Sequence, residues 1–348
     1  MKDLITLKRQ ASKSKRKIWP KVLIGLLLVL VLLVGSFIYS LFNAAKALMS
    51  LPAQDFNPVA SHLMPSYEQL IFQPVGSDLQ LNGWFFQANK EIAFRGNVIF
   101  IHDTRSNKLE FGLDSAKLFS CFINKGFNVL AFDQRHCGQS QGEASTYGYA
   151  EYRDVQAAMS ACYRASGRKN FILYGVGSGV TASLLAWEAL PDLPSEAALA
   201  EAKDPDALLS RDDVKGFIFD TPASSAYDYI RLDISDYNFL QKNFYRRYIP
   251  DIIRISASGP ERVNLIPLLG HIEVPIMITR NLPDTLLNQA TTDTFITECV
   301  RLKSETSYVA EIPQAGHLQG FILDQEKYLS DLGDFLDLYY SSANSPEA

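Results

Sequence analysis

From Val22 to Phe42 the chain reads VLIGLLLVLVLLVGSFIYSLF, 21 residues without a charge. An α-helix rises 1.5 Å per residue, so this run makes about 30 Å of helix, close to the thickness of a bilayer's hydrocarbon core. A helix buried in a soluble core is seldom apolar on every side over that length. Ahead of it, residues 1–21 hold eight Lys and Arg against one acid, Asp3, a net charge of +7. By the positive-inside rule this basic tail stays in the cytoplasm and the chain beyond Phe42 is carried to the other side. The other reading is a cleaved secretory signal, for which Ala45-Lys46-Ala47 supplies small residues. Signal h-regions, however, run to only about 7–15 residues. The predicted organisation is a cytoplasmic tail at 1–21, a signal-anchor at 22–42 whose partner is the lipid bilayer, and an extracytoplasmic remainder.

Charge divides at the membrane. The whole chain of 348 residues carries −5, so the part after the tail carries −12. An acidic exposed domain is poorly suited to nucleic acid or to anionic lipid, and no nucleic-acid partner is expected. The tail's charge is accounted for by topology. Residues 67–340 suffice for one large α/β domain with a substantial core. Cys121, Cys137, Cys162 and Cys299 have no metal-ligand spacing, and buried free thiols are the expectation.

Residues 43–66, with Pro52, Pro58 and Pro65, read as a stalk. Strands and helices then alternate. Tyr67–Gln73 and Leu79–Gln87 form a strand pair turned at Gly76-Ser77-Asp78. Apolar runs bounded by turn signals at Gly96–His102, Asn128–Phe132, Asn170–Tyr174, Val214–Asp220, Pro275–Thr279 and Tyr308–Ile312 read as strands. Helical patterns separate most of them, at Leu113–Lys125, Tyr152–Arg164, Thr181–Ala189, Thr292–Leu302 and Gln325–Tyr339. The pattern predicts an α/β domain with a mostly parallel sheet and helices on both faces. Two stretches interrupt it. Residues 191–213 form an acidic insertion, and residues 225–269, rich in Tyr and Phe, are a candidate lid over a pocket. Residues 341–348 are a C-terminal tail.

At this point the residues resemble the α/β-hydrolase family, in particular membrane-anchored bacterial serine-hydrolase-like members of the serine aminopeptidase and esterase kind. Asp133-Gln134-Arg135-His136-Cys137-Gly138-Gln139-Ser140 is similar to the family's D-x-R-G-x-G-x-S segment, with His136 in place of the first glycine. Gly142 and Tyr147-Gly148-Tyr149 continue the likeness. Ile101-His102 resembles the H-G oxyanion segment. Val274–Thr279 followed by Asp284, and Ile312–His317, resemble the stretches that carry the catalytic acid and histidine. The resemblance implies acyl transfer by serine, histidine and acid with an oxyanion hole, and puts Asp284 and His317 at two triad positions.

The nucleophile departs from that pattern. The family's G-x-S-x-G turn follows the strand at 170–174, and here it reads Gly175-Val176-Gly177-Ser178-Gly179. Gly177 stands at the nucleophile position and has no side chain to attack with. Ser178, the alternative nucleophile, is flanked two residues away by Val176 and Val180, where a strained elbow needs small residues. The ordinary work of Ser178 is to help cap the following helix. In the oxyanion region, His102, Asp103 and Ser178, the glycine expected after the histidine is Asp103. A carboxylate there opposes the charge that an oxyanion develops, unless it turns to solvent or to Arg105 or Asn107. Cys137 is a weak nucleophile candidate, since no third group is evident.

No cofactor or metal signature appears. The expectation is a catalytically degenerate hydrolase fold that binds a small-molecule or protein ligand. The alternative is an active ester, thioester or amide hydrolase using Ser178 with His317 and Asp284. A surface scaffold is a third class, against which an open apolar cleft below 175–179 would count.

Overall fold

A computed structural model of the protein describes residues 2–201, 208–234 and 238–341. Tyr237, residues 202–207 of the acidic insertion and the tail beyond 341 lie outside the described residues. The elements in chain order are α1 (Lys2–Met49), β1 (Glu68–Phe72), β2 (Leu81–Phe86), β3 (Gly96–Ile101), α2 (Ser115–Ile123), β4 (Phe127–Phe132), α3 (Tyr152–Ser166), β5 (Phe171–Val176) and α4 (Ser178–Glu188). They continue with α5 (Glu196–Glu201), β6 (Val214–Asp220), α6 (Ala226–Asp233), α7 (Phe239–Ser256), α8 (Ile266–Leu269), β7 (Ile276–Leu282), α9 (Gln289–Leu302), β8 (Ser307–Pro313), α10 (Gly320–Leu323) and α11 (Gln325–Tyr339).

The strands form one sheet in the order β1-β2-β4-β3-β5-β6-β7-β8. β1 and β2 pair antiparallel, β2 pairs antiparallel with β4, and every later neighbour is parallel. The predicted parallel α/β sheet is what is found. Its central strands β3, β4 and β5 are buried at all six positions, which is why they read as unbroken apolar runs. Alternation along β3 divides the core. Val98 and Phe100 face the side covered by α2 and α11, and Ile99 and Ile101 face α3 and α4.

Two expectations change at the N-terminal end. The helix does not stop at Phe42 but runs on to Met49, and Trp19–Met49 is long and apolar enough to cross a membrane, with a mean hydropathy of 2.9 over its most apolar 18 residues. Residues 43–66 are therefore no free stalk. Leu41, Ala45 and Leu48 are buried in the same core as α3 and α4, and Asn57 caps a short 3₁₀ turn at Pro58–Leu63. The prolines that suggested a tether follow the helix rather than replace it. The four cysteines are unpaired, and Cys137, Cys162 and Cys299 are buried.

The segment similar to D-x-R-G-x-G-x-S holds the loops behind β4 together. Asp133 is fully buried against the Lys108 ammonium at 2.5 Å and accepts the Lys108 and Gln139 backbone N–H groups at 2.7 and 2.9 Å. Arg135 forms a two-pronged pair with Asp154. His136 lies 3.1 Å from the Leu51 carbonyl and so holds the chain where it leaves α1.

Candidate active site

β7 and β8 deliver the first pair. Asp284 follows β7 and accepts the Leu286 and Leu287 N–H groups through Oδ1, each at 2.9 Å, a local turn that aims Oδ2 outward. Oδ2 is 2.7 Å from Nδ1 of His317, which lies on the turn after β8. Burial disfavours charge on His317, but the Asp284 hydrogen bond and the charges of Asp284, Asp103 and Asp220 outweigh it, so its pKa is raised. The two predicted triad positions thus come together from 33 residues apart.

Between β5 and α4 the chain makes a sharp turn centred on Gly177, at φ 53° and ψ −123°. The flanking glycines are required by close approach. A Cβ on Gly175 would stand 2.7 Å from the Gly179 backbone, and one on Gly179 would stand 2.3 Å from the Ile101 carbonyl oxygen. The space beside Gly177 is already occupied: a Cβ there would lie 2.5 Å from Oδ1 of Asp103.

Asp103 therefore does not turn to solvent, to Arg105 or to Asn107. Its Oδ1 accepts both the backbone N–H and the hydroxyl of Ser178, each at 2.7 Å. The carboxylate sits at the N-terminus of α4, where the helix dipole favours negative charge. Ser178 is 2% exposed, and its oxygen accepts the Thr104 N–H at 2.8 Å. The expected role of Ser178 as a helix cap is thus filled by Asp103, and the hydroxyl is directed into the 103–104 turn.

His102 is fully buried, which lowers its pKa. Its Nε2 accepts the Gln134 N–H at 3.0 Å, so Nδ1 carries the proton and donates to the Asp103 carbonyl at 2.6 Å. The neutral imidazole pins the backbone of the turn. Behind it stands Glu110, which accepts the Asp103 N–H at 2.8 Å. The residue keeps some surface, but its carboxyl is enclosed. Burial first, and then the charge of Asp103, pushes its pKa up to about 8. Asp220 at the end of β6 is likewise raised by burial, and it accepts from the Tyr328 hydroxyl at 2.7 Å.

A cavity of about 380 Å³ opens beside this turn, with Asp103, Thr104 and His317 along one wall. α6 and α7 line the other with Tyr229, Arg231, Leu232, Asp233 and Arg246. Asp233 ties α6 down, accepting from Arg105 and from the Tyr147 hydroxyl at 2.5 Å each. Of the aromatics in residues 225–269, Tyr229 reaches the cavity. Tyr227 and Tyr245 pack into the core, and Phe239, Phe244 and Tyr248 are exposed. The lining mixes charged side chains with the apolar surface of Tyr147, Tyr229, Leu232 and Leu286.

No protein-family model matches the chain. It is 30% identical over 89 residues, a quarter of its length, to the uncharacterized protein YqkD of Bacillus subtilis, and the match spans 28% of that relative. Among solved structures it is similar to the Pyrococcus furiosus esterase Pf2001, with a TM-score of 0.60 and 17% identity over 83% of this chain and 99% of that one. The Pyrococcus horikoshii acylaminoacyl peptidase matches 85% of this chain and 45% of its own at a TM-score of 0.53 and 14% identity. The alpha/beta hydrolase GrgF from Penicillium sp. sh18 matches 80% and 100% at 0.51 and 17%. The chain has the α/β-hydrolase fold.

In an α/β-hydrolase fold the turn after β5 presents a nucleophile, and the N–H of the following residue helps hold the oxyanion. Here that N–H belongs to Ser178 and is bonded to Asp103. Sequence reasoning singled out Asp284, His317, Gly177, Ser178, His102 and Asp103, and the structure gathers them at one end of the sheet. It missed Glu110, Asp220 and Asp233, and named Arg105 only as a partner for Asp103. Asp220 had a visible signal, a carboxylate ending the apolar run of β6. Glu110 lies in a loop and Asp233 ends α6, and neither carries such a signal.

Proposed function

We propose that this is a membrane-anchored protein whose α/β-hydrolase fold binds a small polar ligand without serine-dependent turnover. Residues 1–21 face the cytoplasm, α1 spans the bilayer and the domain lies outside. One observation carries the functional reading: the Asp103 carboxylate fills the space of a side chain at Gly177 and also occupies the Ser178 N–H. Acyl transfer needs that N–H free for an oxygen that becomes negative. An oxyanion would have to displace a carboxylate and then sit beside its charge. The Ser178 hydroxyl donates to the same carboxylate and is committed to the 103–104 turn, which weighs against it as the base-activated nucleophile of His317. The Asp284–His317 pair remains as part of a partly charged cavity large enough for a small ligand.

The test is fluorophosphonate labelling of the full chain in lipid nanodiscs. The unaltered protein should not label. Gly177→Ser alone should not label either, because the new side chain collides with Asp103, whereas Gly177→Ser combined with Asp103→Gly should label and hydrolyse a simple aryl ester. Strong labelling of the unaltered protein that disappears in Ser178→Ala would overturn the proposal. Protease added to intact spheroplasts should degrade the domain; a protected domain would reverse the orientation.

A further inference from the structure

α7 packs against α1. Phe37 makes edge contacts with Phe244 and Tyr248, at centroid separations of 5.4 and 6.3 Å. One turn along, the Ser40 hydroxyl is 3.2 Å from that of Tyr245. These contacts fall inside the uncharged run that ends at Phe42, not beyond it.

The aromatic residues of α1 mark the same level independently. Trp19 and Tyr39 are each 69% exposed on the helix. Twenty residues separate them, or about 30 Å along the axis, and amphipathic aromatics favour the two water–hydrocarbon boundaries of a bilayer. If Trp19 lies at one boundary, Tyr39 lies at the other, and Phe37 and Ser40 straddle it. Whatever packs on Phe37 is then at the membrane surface.

The composition of α7 suits that depth. Phe239, Phe244 and Tyr248 are 77%, 50% and 42% exposed, a poor arrangement for a helix facing water alone. The exposed Arg246 and Arg247 lie among them, although the domain as a whole is acidic. Aromatic and basic side chains on one short helix are the pattern of a segment lying in a headgroup layer. Tyr245, Ile249 and Ile253 hold the opposite side of α7 in the core, so the helix is anchored in the domain while its N-terminal half is presented outward.

We infer that the N-terminal half of α7 lies in the headgroup layer of the bilayer that α1 crosses, with Phe239 and Phe244 seated among the lipids. This rests on the spanning of α1 proposed above. It makes one wall of the cavity a membrane-contacting element, since α7 also supplies Arg246 to that wall.

Nitroxide labels on the full chain in phosphatidylcholine–phosphatidylglycerol nanodiscs test it. The labels are placed singly through Phe239→Cys, Phe244→Cys, Leu30→Cys in the apolar run, and Val75→Cys, which is 93% exposed in the β1–β2 turn. Collision with oxygen and with a water-soluble nickel complex reads depth at each position. The inference expects the oxygen-to-nickel ratio at 239 and 244 to fall between those at 75 and 30. Ratios at 239 and 244 equal to that at 75, with 30 still shielded from nickel, would overturn it while leaving the anchor intact. Nickel access at 30 would overturn the spanning of α1 itself. If the variants at 239 and 244 fold poorly, Arg247→Cys supplies the same readout from an exposed position, with the same expected and contrary results.

Discussion

A single glycine decides what the elbow can do, and the decision is made by a neighbour from another loop. At φ 53° a side chain on Gly177 would already be strained, by roughly 1–3 kcal/mol, and Asp103 removes the remaining space. The carboxylate that fills that space also adds to the effect of burial in raising the pKa of Glu110. An ordinary glutamate with a pKa of 4.5 loses its proton in the unfolded chain well before the folded Glu110 does at about 8. Between those values the unfolded state sheds a proton that the folded state keeps, so stability falls as pH rises through the window. Glu110→Gln removes the effect. Its melting temperature should match that of the parent near pH 4 and exceed it near pH 8.5, and parallel melting curves at both pH values would contradict the assignment. His317 works in the same direction in both proteins, since its raised pKa contributes stability below about 6.5 that is lost as pH rises through the folded value.

At the scale of elements, the loops after β3 and β4 are locked together by a buried charge pair. Lys108 and Asp133 are both 0% exposed, and the ammonium also lies 4.6 Å from the Phe56 ring and 4.8 Å from that of Trp84. Desolvation lowers the pKa of Lys108, opposed by Asp133. Removing one partner of such a pair leaves a buried charge uncompensated, at a cost of about 3 kcal/mol or more. Lys108→Met should lower the urea midpoint accordingly, and a loss under about 1 kcal/mol would mean that the pair acts like a surface ion pair. The strands of this region were legible because an apolar run buried on both faces is a local property. The pair was not, because nothing near Lys108 in the chain announces a carboxylate 25 residues on.

For the whole molecule, α1 joins a stretch long and apolar enough to cross a membrane directly to the domain. Ala45 is 0% and Leu48 5% exposed against the core, so the helix enters the fold directly. A soluble chain beginning at Asn43 keeps those contacts, and one beginning at Pro52 loses them. Burying Ala44, Ala45 and Leu48 is worth about 2 kcal/mol or more, so the shorter chain should unfold at lower denaturant. Equal unfolding midpoints would show that the end of α1 contributes nothing to the core. The same continuity leaves little freedom between the apolar stretch of α1 and the domain, and α7, which packs beside α1, also lines the cavity.

The sequence alone determined the elements and their class. A 21-residue uncharged run, a +7 flank and apolar runs alternating with helical patterns are short-range features, and each makes its element wherever the rest of the chain lies. It also located Asp284 and His317, because their surrounding segments resemble a known pattern. Tertiary structure alone decided how the elbow is filled. Asp103 and Ser178 are 75 residues apart, and whether that carboxylate faces water or the N-terminus of α4 depends on how the turn after β3 is held over β5. It likewise decided that Ala44, Ala45 and Leu48 pack into the core, and that α7 packs on α1. Those outcomes are contacts between distant surfaces, and periodicity within a segment carries no record of them.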